Sequence, residues 1–273
     1  MRALFPAISA VLLAGCLGSE ADATPDEPRV ESVGHWRPAA GTTWQWQVTG
    51  PVDTSYDVAM YDIDLFLTSA ATIRALHRSG RVVICYFSAG SREDFRADAD
   101  RFIGAEQGKR LAGWEGERWL DVRSSNVRAI MRDRLDLAVR RGCDGVEPDN
   151  VDGYQNHTGF PLTERDQLDY DRFLAAEAHA RGLSIGLKNT VDLARALEPS
   201  FDWALSEECL VYGECAKLSP FVEANKAVFH VEYVDSASAG PVEIDEICSQ
   251  PAIHGFSTLV KTLNLGPELS RCQ

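Results

Sequence analysis

The chain has 273 residues, a formal net charge of −14 and 45% hydrophobic residues. That length and apolar content suffice for one large buried core, and so acidic a surface argues against a nucleic-acid partner. The same charge attracts cations, including any polymer that carries free amines.

The amino terminus reads as an export leader. Met1-Arg2 is a short basic start, and Ala3 to Leu13 is an apolar run too short to span a bilayer as a helix. It ends in Leu13-Ala14-Gly15-Cys16, which resembles a bacterial lipobox. Residues 1–15 are expected to be a signal peptide and Cys16 the lipidated residue that anchors the protein to a membrane, facing the cell surface or periplasm. The alternative is a secreted protein cut near Ala21 or Ala23. Residues 16–40, with Gly18, Ser19, Glu20, Asp22, Pro25, Asp26, Glu27 and Pro28, read as a flexible tether. Residues 41–273 form the expected single domain.

Within that domain, strand candidates in chain order are Thr43–Val48, Asp57–Ile63, Val82–Ser88, Gly145–Asp149, Leu183–Lys188, Asp202–Ser206, Ala227–Tyr233 and Phe256–Lys261. Helical patterns lie between most of them. Thr68–Gly80 follows the second strand. A helix opening at Ser124 or Ser125 carries Val127, Ile130, Met131, Leu135 and Ala138 on one face and stops at Gly142. Another begins at Thr163, with Asp166 completing a capping box, and closes at Gly182. Eight strands alternating with helices predict a (β/α)8 TIM barrel, with an open doubly wound sheet as the alternative. The stretch from Val48 to Asp57 is too short for a full helix, so the first crossover is expected to be truncated. Phe95 to Val122 is a long excursion, expected over the barrel mouth.

Six cysteines follow Cys16. In an exported chain they suggest disulfides. Cys209 and Cys215 can close a local loop, Cys85 and Cys143 fall at neighbouring strand positions, and Cys248 with Cys272 would tie down the carboxyl terminus. Neither a Cys-x-x-Cys pair nor a His–Cys spacing suggests zinc.

A barrel places its active site at the carboxyl ends of its strands. There the sequence supplies Asp62 and Asp64, Tyr86 and Ser88, Glu147 and Asp149, Lys188 and Asn189, Glu207 and Glu208, and Glu232. The densest stretch is Gly145-Val146-Glu147-Pro148-Asp149-Asn150-Val151-Asp152. On a strand Glu147 and Asp149 share a face, and two carboxylates there are costly to bury unless paired or used. A turn or a structural Ca²⁺ loop are the other readings of this segment alone.

Taken together, these segments resemble family 114 of the glycoside hydrolases, the endo-α-1,4-polygalactosaminidase-like barrels. The likeness rests on Ile84-Cys85-Tyr86-Phe87-Ser88-Ala89-Gly90-Ser91, Gly145 to Tyr154, Thr158-Gly159-Phe160-Pro161-Leu162-Thr163, Gly186-Leu187-Lys188-Asn189, Ser206-Glu207-Glu208-Cys209 and Val231-Glu232-Tyr233, in that order. It runs from about Trp44 to Lys261. Ser206 stands where the family often has Asn, a change expected to alter a hydrogen bond to substrate.

The resemblance implies endo-cleavage of α-1,4-linked galactosamine-containing polysaccharide, with Asp149 and Glu207 as the catalytic pair. Such chemistry needs one carboxyl to protonate the leaving oxygen and another to act as nucleophile or water base. The expected roles are Asp149 as nucleophile, held ionised by Lys188 or Asn150, and Glu207 as acid/base with a raised pKa; the reverse assignment is open. Glu147 is expected to sit deeper as support, and Glu208 to point away. Around the substrate the expectation gathers Asp62, Ser88, Asn150, Asp152, Tyr154, Lys188, Asn189, Glu232, Tyr86 and Tyr233. Asp62, Asp152 and Glu232 would bind free amines, and the tyrosines would either stack on sugar rings or pack in the core.

Trp44 and Trp46 share a face, lining either core or mouth. His77 and His179 fall in helical patterns and read as packing or surface residues. No cofactor and no metal is called for, and a monomer is expected. Two other readings stay open: a non-catalytic polysaccharide-binding lipoprotein, and a metal-dependent hydrolase using Glu147, Asp149 and Asp152.

Overall fold

The computed structural model describes residues 34–235 and 241–272, without the side chains of residues 241–242. The expected leader, Cys16 and most of the tether lie outside the described residues. Eight parallel strands follow one another in chain order around a curled sheet: β1 (Trp44–Gln47), β2 (Met60–Asp64), β3 (Val82–Ser88), β4 (Gly145–Asp149), β5 (Ser184–Lys188), β6 (Trp203–Glu207), β7 (Val228–Tyr233) and β8 (Ser257–Lys261). These are the eight expected strands. The second starts three residues later than predicted, at Met60, and the sixth runs one further, to Glu207. A short antiparallel strand, Ser270–Arg271, lines β8.

Among the described residues no backbone ladder joins β1 to β8. Side chains bridge the seam: the Trp44 indole donates to the Ser257 carbonyl at 2.8 Å, and Gln45 donates to the Pro267 carbonyl at 2.7 Å.

The helices are α1 (Ala70–Arg78), α2 (Ser125–Arg141), α3 (Glu164–His179), α4 (Ala194–Leu197), α5 (Ser219–Glu223) and α6 (Pro241–Cys248). None separates β1 from β2, as the short spacing required. Ser124 caps α2 by accepting from the amides of Asn126 and Val127, and Gly142 ends it with φ +89°. Thr163 and Asp166 form a reciprocal capping box on α3. In both cases the side chains satisfy amides that a helix start leaves without partners.

Period-two alternation sorts the strand residues into two apolar layers. Trp44, Trp46, Met60, Ile84, Trp203, Leu205, Phe229, Val231 and Leu259 fill the barrel interior. Val83, Cys85, Phe87, Val146, Ile185 and Leu187 face outward onto Ile130, Met131 and Leu135 of α2 and Leu174 of α3. Trp44 and Trp46 are therefore interior residues. A Cβ at Gly186 would lie 2.1 Å from the Trp203 ring, so only glycine leaves that indole its place.

The excursion after β3 is ordered in a way its sequence does not announce. Ser91–Glu93, Gln107–Arg110 and Glu117–Leu120 form a three-stranded antiparallel sheet with Glu117–Leu120 in the middle. Disulfides join Cys85 to Cys143, Cys209 to Cys215 and Cys248 to Cys272. The first closes the longest loop, 58 residues, and on a chain-entropy argument contributes the most, about 4 kcal/mol.

Candidate active site

The interior face of β2 to β7 turns polar at its carboxyl end, and Lys188 is the centre of that region. Its Nζ lies 2.7 Å from Glu147 Oε1, 3.2 Å from Asp149 Oδ1 and 3.2 Å from Glu207 Oε2. One ammonium thus donates to Glu147 and forms ion pairs with two further carboxylates. The ammonium also sits 4.7 Å from the centroid of the Trp46 ring, on a face that attracts cations. Burial opposes its charge, but Asp149, Glu147 and Glu207 outweigh burial and raise its pKa well above the ordinary lysine value.

The two outer carboxylates are held in matching ways. Asp149 accepts from the Tyr86 hydroxyl at 3.1 Å, from Asn150 Nδ2 at 3.4 Å and from the Asn150 amide at 2.8 Å. Glu207 accepts from the Tyr233 hydroxyl and from Asn189 Nδ2 at 2.9 Å, while Asn189 Oδ1 accepts from the Glu207 amide. Their side chains are 18% and 22% exposed, whereas Lys188 and Glu147 are closed off from solvent. Burial would push the Glu207 carboxyl up. Lys188, Tyr233 and Asn189 reverse that and hold it below the usual range, against the raised value expected from sequence.

Local backbone geometry aims these groups. Asn150, Asn189 and Glu208, each directly after a strand that ends in a site residue, have φ of +59°, +53° and +55°. Left-handed residues turn the chain sharply, leaving Asp149, Lys188 and Glu207 at the rim. Ala89 and Gly90 donate their amides to the Asp149 carbonyl at 2.8 and 3.1 Å. A Cβ on Gly90 would fall 1.7 Å from the Asn150 carbonyl oxygen, so the glycine of this segment is what allows the two strand ends to meet.

Glu147 lies under the pair, accepting from Lys188 and, at 3.0 Å, from the Trp46 indole. Asp62 is buried beside it, opposite Trp46 in the β1–β2 ladder. Burial pushes both acids up, Asp62 well above the usual carboxylate range.

Of the residues expected around the substrate, Tyr86, Asn150, Asp152, Tyr154, Asn189 and Tyr233 are partly open to solvent, and Asp62, Ser88, Glu147 and Lys188 are not. Tyr154 leans on Gln155, which donates to its hydroxyl at 2.8 Å, and lies near Asp192.

Three further expectations need correcting, and the first is Asp62, which is 0% exposed and so is closed off from a substrate amine. Glu232 faces out of the barrel, because alternation sends Val231 and Tyr233 inward; its Oε1 binds His230 at 2.8 Å and the Leu210 amide at 2.9 Å. Ser206 is likewise on the outward face, opposite His230 in the ladder and buried without a hydrogen-bond partner among the described residues, so it offers no bond to a substrate beside Glu207.

Sequence reading missed the excursion's contribution. Asn150 Nδ2 donates to Ser88 Oγ at 3.0 Å, Ser88 and Ser91 hydroxyls lie 2.7 Å apart, and Ser91 donates to Glu117 at 2.6 Å. Burial pushes Glu117 up to about 7. The one available signal was Glu117 two residues before Trp119, a spacing that puts both on one face of a strand. Asp64 and Glu93 are joined by Arg96, at 2.7 and 2.6 Å.

A cation bound between Glu147 and Asp149 would have to displace the Lys188 ammonium, which argues against a metal there. The arrangement is suited to two-carboxylate chemistry: two accessible acids, one fixed positive charge between them, and hydroxyl and amide donors that orient each.

Comparison with known proteins gives this geometry its context. The model of glycoside-hydrolase family GH114 matches residues 25–273. The crystal structure of Aspergillus fumigatus Ega3 in complex with galactosamine is similar to this chain at 44% identity and a TM-score of 0.84, covering 88% of this chain and 98% of that one. The glycoside hydrolase domain of PelA from Pseudomonas aeruginosa, 15% identical with a TM-score of 0.62 over 82% of this chain and 94% of its own, shares the fold. An uncharacterized protein of Deinococcus radiodurans is 25% identical over 234 residues, 77% of this chain and 75% of its own. With the matched model covering the whole barrel, the chain belongs to glycoside-hydrolase family GH114.

Proposed function

We propose that this protein is an endo-acting hydrolase of α-1,4-linked galactosamine-containing polysaccharide, working through Asp149 and Glu207. The observation that carries the reading is the pair of accessible carboxylates sharing one buried ammonium. The likeness to Ega3, whose structure contains galactosamine, supports the sugar, and the net charge of −14 suits a cationic polymer.

The oxygens that share Lys188 can be no more than 6.4 Å apart, twice their 3.2 Å distance to its Nζ. Two acids held against one ammonium favour retention through a glycosyl-enzyme intermediate, and the azide experiment below decides it. Glu207, held ionised in the free site, is better suited to attack the sugar than to donate a proton. This favours Glu207 as nucleophile and Asp149 as acid/base, the reverse of the expected roles. Three disulfides support export, and with the leader they support a lipid-anchored protein at Cys16.

The test is product release from partly deacetylated α-1,4-galactosaminan, its fully N-acetylated form and a neutral α-1,4-glucan. Early release of mid-length oligosaccharides from the first substrate is expected. A folded protein that cleaves none of them, or the glucan equally well, would overturn the substrate assignment. Azide added to each carboxylate variant assigns the roles, since it yields the inverted glycosyl azide when the nucleophile is missing and the retained one when the acid/base is.

A further inference from the structure

Beneath the catalytic pair lies one carboxyl more than the surrounding donors account for. Asp62 on β2 is 0% exposed, and neither of its oxygens has a hydrogen-bond partner among the described residues that could donate to it. Asp62 nevertheless stands opposite Trp46 in the β1–β2 ladder, and the Trp46 indole donates to Glu147, which places the Asp62 carboxyl next to that of Glu147. Two ionised carboxylates only accept; a hydrogen bond between them requires that one keep its proton. Glu147 has the stronger claim to the charge, because Lys188 Nζ donates to one of its oxygens and the Trp46 indole to the other. Asp62 has no such donor.

We propose that Asp62 is a protonated carboxylic acid that donates a hydrogen bond to Glu147 and so positions Lys188 between Asp149 and Glu207. This rests on the hydrolase reading above. A third donor on Glu147 weakens its pull on the ammonium, leaving more of that charge for the two outer carboxylates. Were Asp62 ionised, four carboxylates would crowd one ammonium, and Asp62 would repel Glu147 away from its place under Lys188. The charged groups that face Asp62 are Glu147 and Asp149 of β4 and Lys188 of β5. The neighbouring strands put Trp46 and Ile84 opposite it, both uncharged. Burial first, and Glu147 second, favour the neutral form. Asp62 never meets the substrate; it is a positioning residue.

Three readouts on the soluble domain test this, and two do not depend on identifying the substrate. Infrared difference spectra at neutral pH should contain the carbonyl stretch of a buried protonated carboxyl, present in wild type and missing from Asp62→Asn. The difference in Tm between Asp62→Asn and wild type should widen in the variant's favour as pH rises from about 4, since only the wild type pays to keep a proton that its unfolded chain releases. On galactosaminan, Asp62→Ala should lose about 100-fold in kcat/KM through misplacement of Lys188, and Asp62→Asn, whose amide can still donate, should recover at least tenfold of that. A wild type without the infrared band, or a Tm difference that does not change with pH, would overturn the proposal. So would an Asp62→Asn variant as impaired as Asp62→Ala. A domain that shows the band but cleaves nothing would sink the substrate assignment and leave the proton on Asp62.

Discussion

The two ends of the barrel each hold a cluster of ionisable groups, and they are built on opposite principles. At the amino end Asp202 lies 2.8 Å from His35 Nε2 and 2.9 Å from His179 Nε2, and it accepts from the Ile185 amide at 3.0 Å. One acid is surrounded by more donors than it needs, and although burial opposes it, His179 and the Ile185 amide hold its carboxyl below the usual range. At the carboxyl end one ammonium serves Glu147, Asp149 and Glu207, with Asp62 behind them, and two of those acids are pushed up. Perturbed groups in both places show that perturbation alone does not mark function. What separates the two is access: the base closes off an acid whose oxygens are all paired, while the mouth leaves Asp149 and Glu207 partly open to solvent, with the donor-poor Asp62 buried behind them. The stacked rings of His35 and His179, 4.1 Å apart and 13° from parallel, also cannot both turn in-plane nitrogen lone pairs on one ion, so the base reads as a clamp on the segment around His35.

The change expected to blur this contrast most is Lys188→Met. Removing the shared cation leaves buried carboxylates uncompensated, which costs about 3–5 kcal/mol, and turnover should fall by about 10³-fold or more. Full activity in that variant would remove Lys188 from the mechanism. Next is Tyr233→Phe. Glu207 is held below the usual carboxylate range in the free site, so the acid limb it sets in kcat/KM should lie below that of an ordinary glutamate. Loss of one donor should move that limb upward and cost about tenfold in rate; an unmoved limb would mean that Glu207 does not set it.

At the base the effect is on stability alone. Burial lowers the His35 pKa, and Asp202 is lowered too. Their contribution is complete above the unfolded histidine value and is lost as pH falls, from about 6.5 downward. The wild type should therefore lose Tm more steeply than His35→Asn between about pH 6.5 and 4, with equal slopes contradicting the clamp. The smallest effect belongs to Glu208→Gly. A non-glycine residue at φ +55° is strained, and relief should stabilise by roughly 0.5–1 kcal/mol, read as a Tm rise of about 1–4 °C.

The barrel was legible because each of its strands obeys one short-range rule. β3 and β4 could be read residue by residue, since alternation alone separates Cys85 and Val146 from Tyr86, Glu147 and Asp149. The same rule, applied to Val231-Glu232-Tyr233, turns Glu232 outward; its place at the carboxyl end of a strand is what groups it with the site in the sequence. The excursion was not legible, because Ser91–Glu93 and Gln107–Arg110 are short, charged and without an apolar face, and their pairing depends on residues far apart in sequence. The direction of the Glu207 shift was hidden for a related reason. Burial is readable from a strand, whereas the opposing Lys188 and Tyr233 come from two other strands.

The most direct test compares the two ends in one assay: release of oligosaccharides from partly deacetylated α-1,4-galactosaminan by wild type, Asp149→Asn, Glu207→Gln and Asp202→Asn, each checked for folding. A loss of about 10³-fold or more is expected in both mouth variants with the fold intact, and turnover should be retained in Asp202→Asn with a lower Tm. Cleavage that survives in folded Asp149→Asn or Glu207→Gln, or that disappears in folded Asp202→Asn, would contradict it.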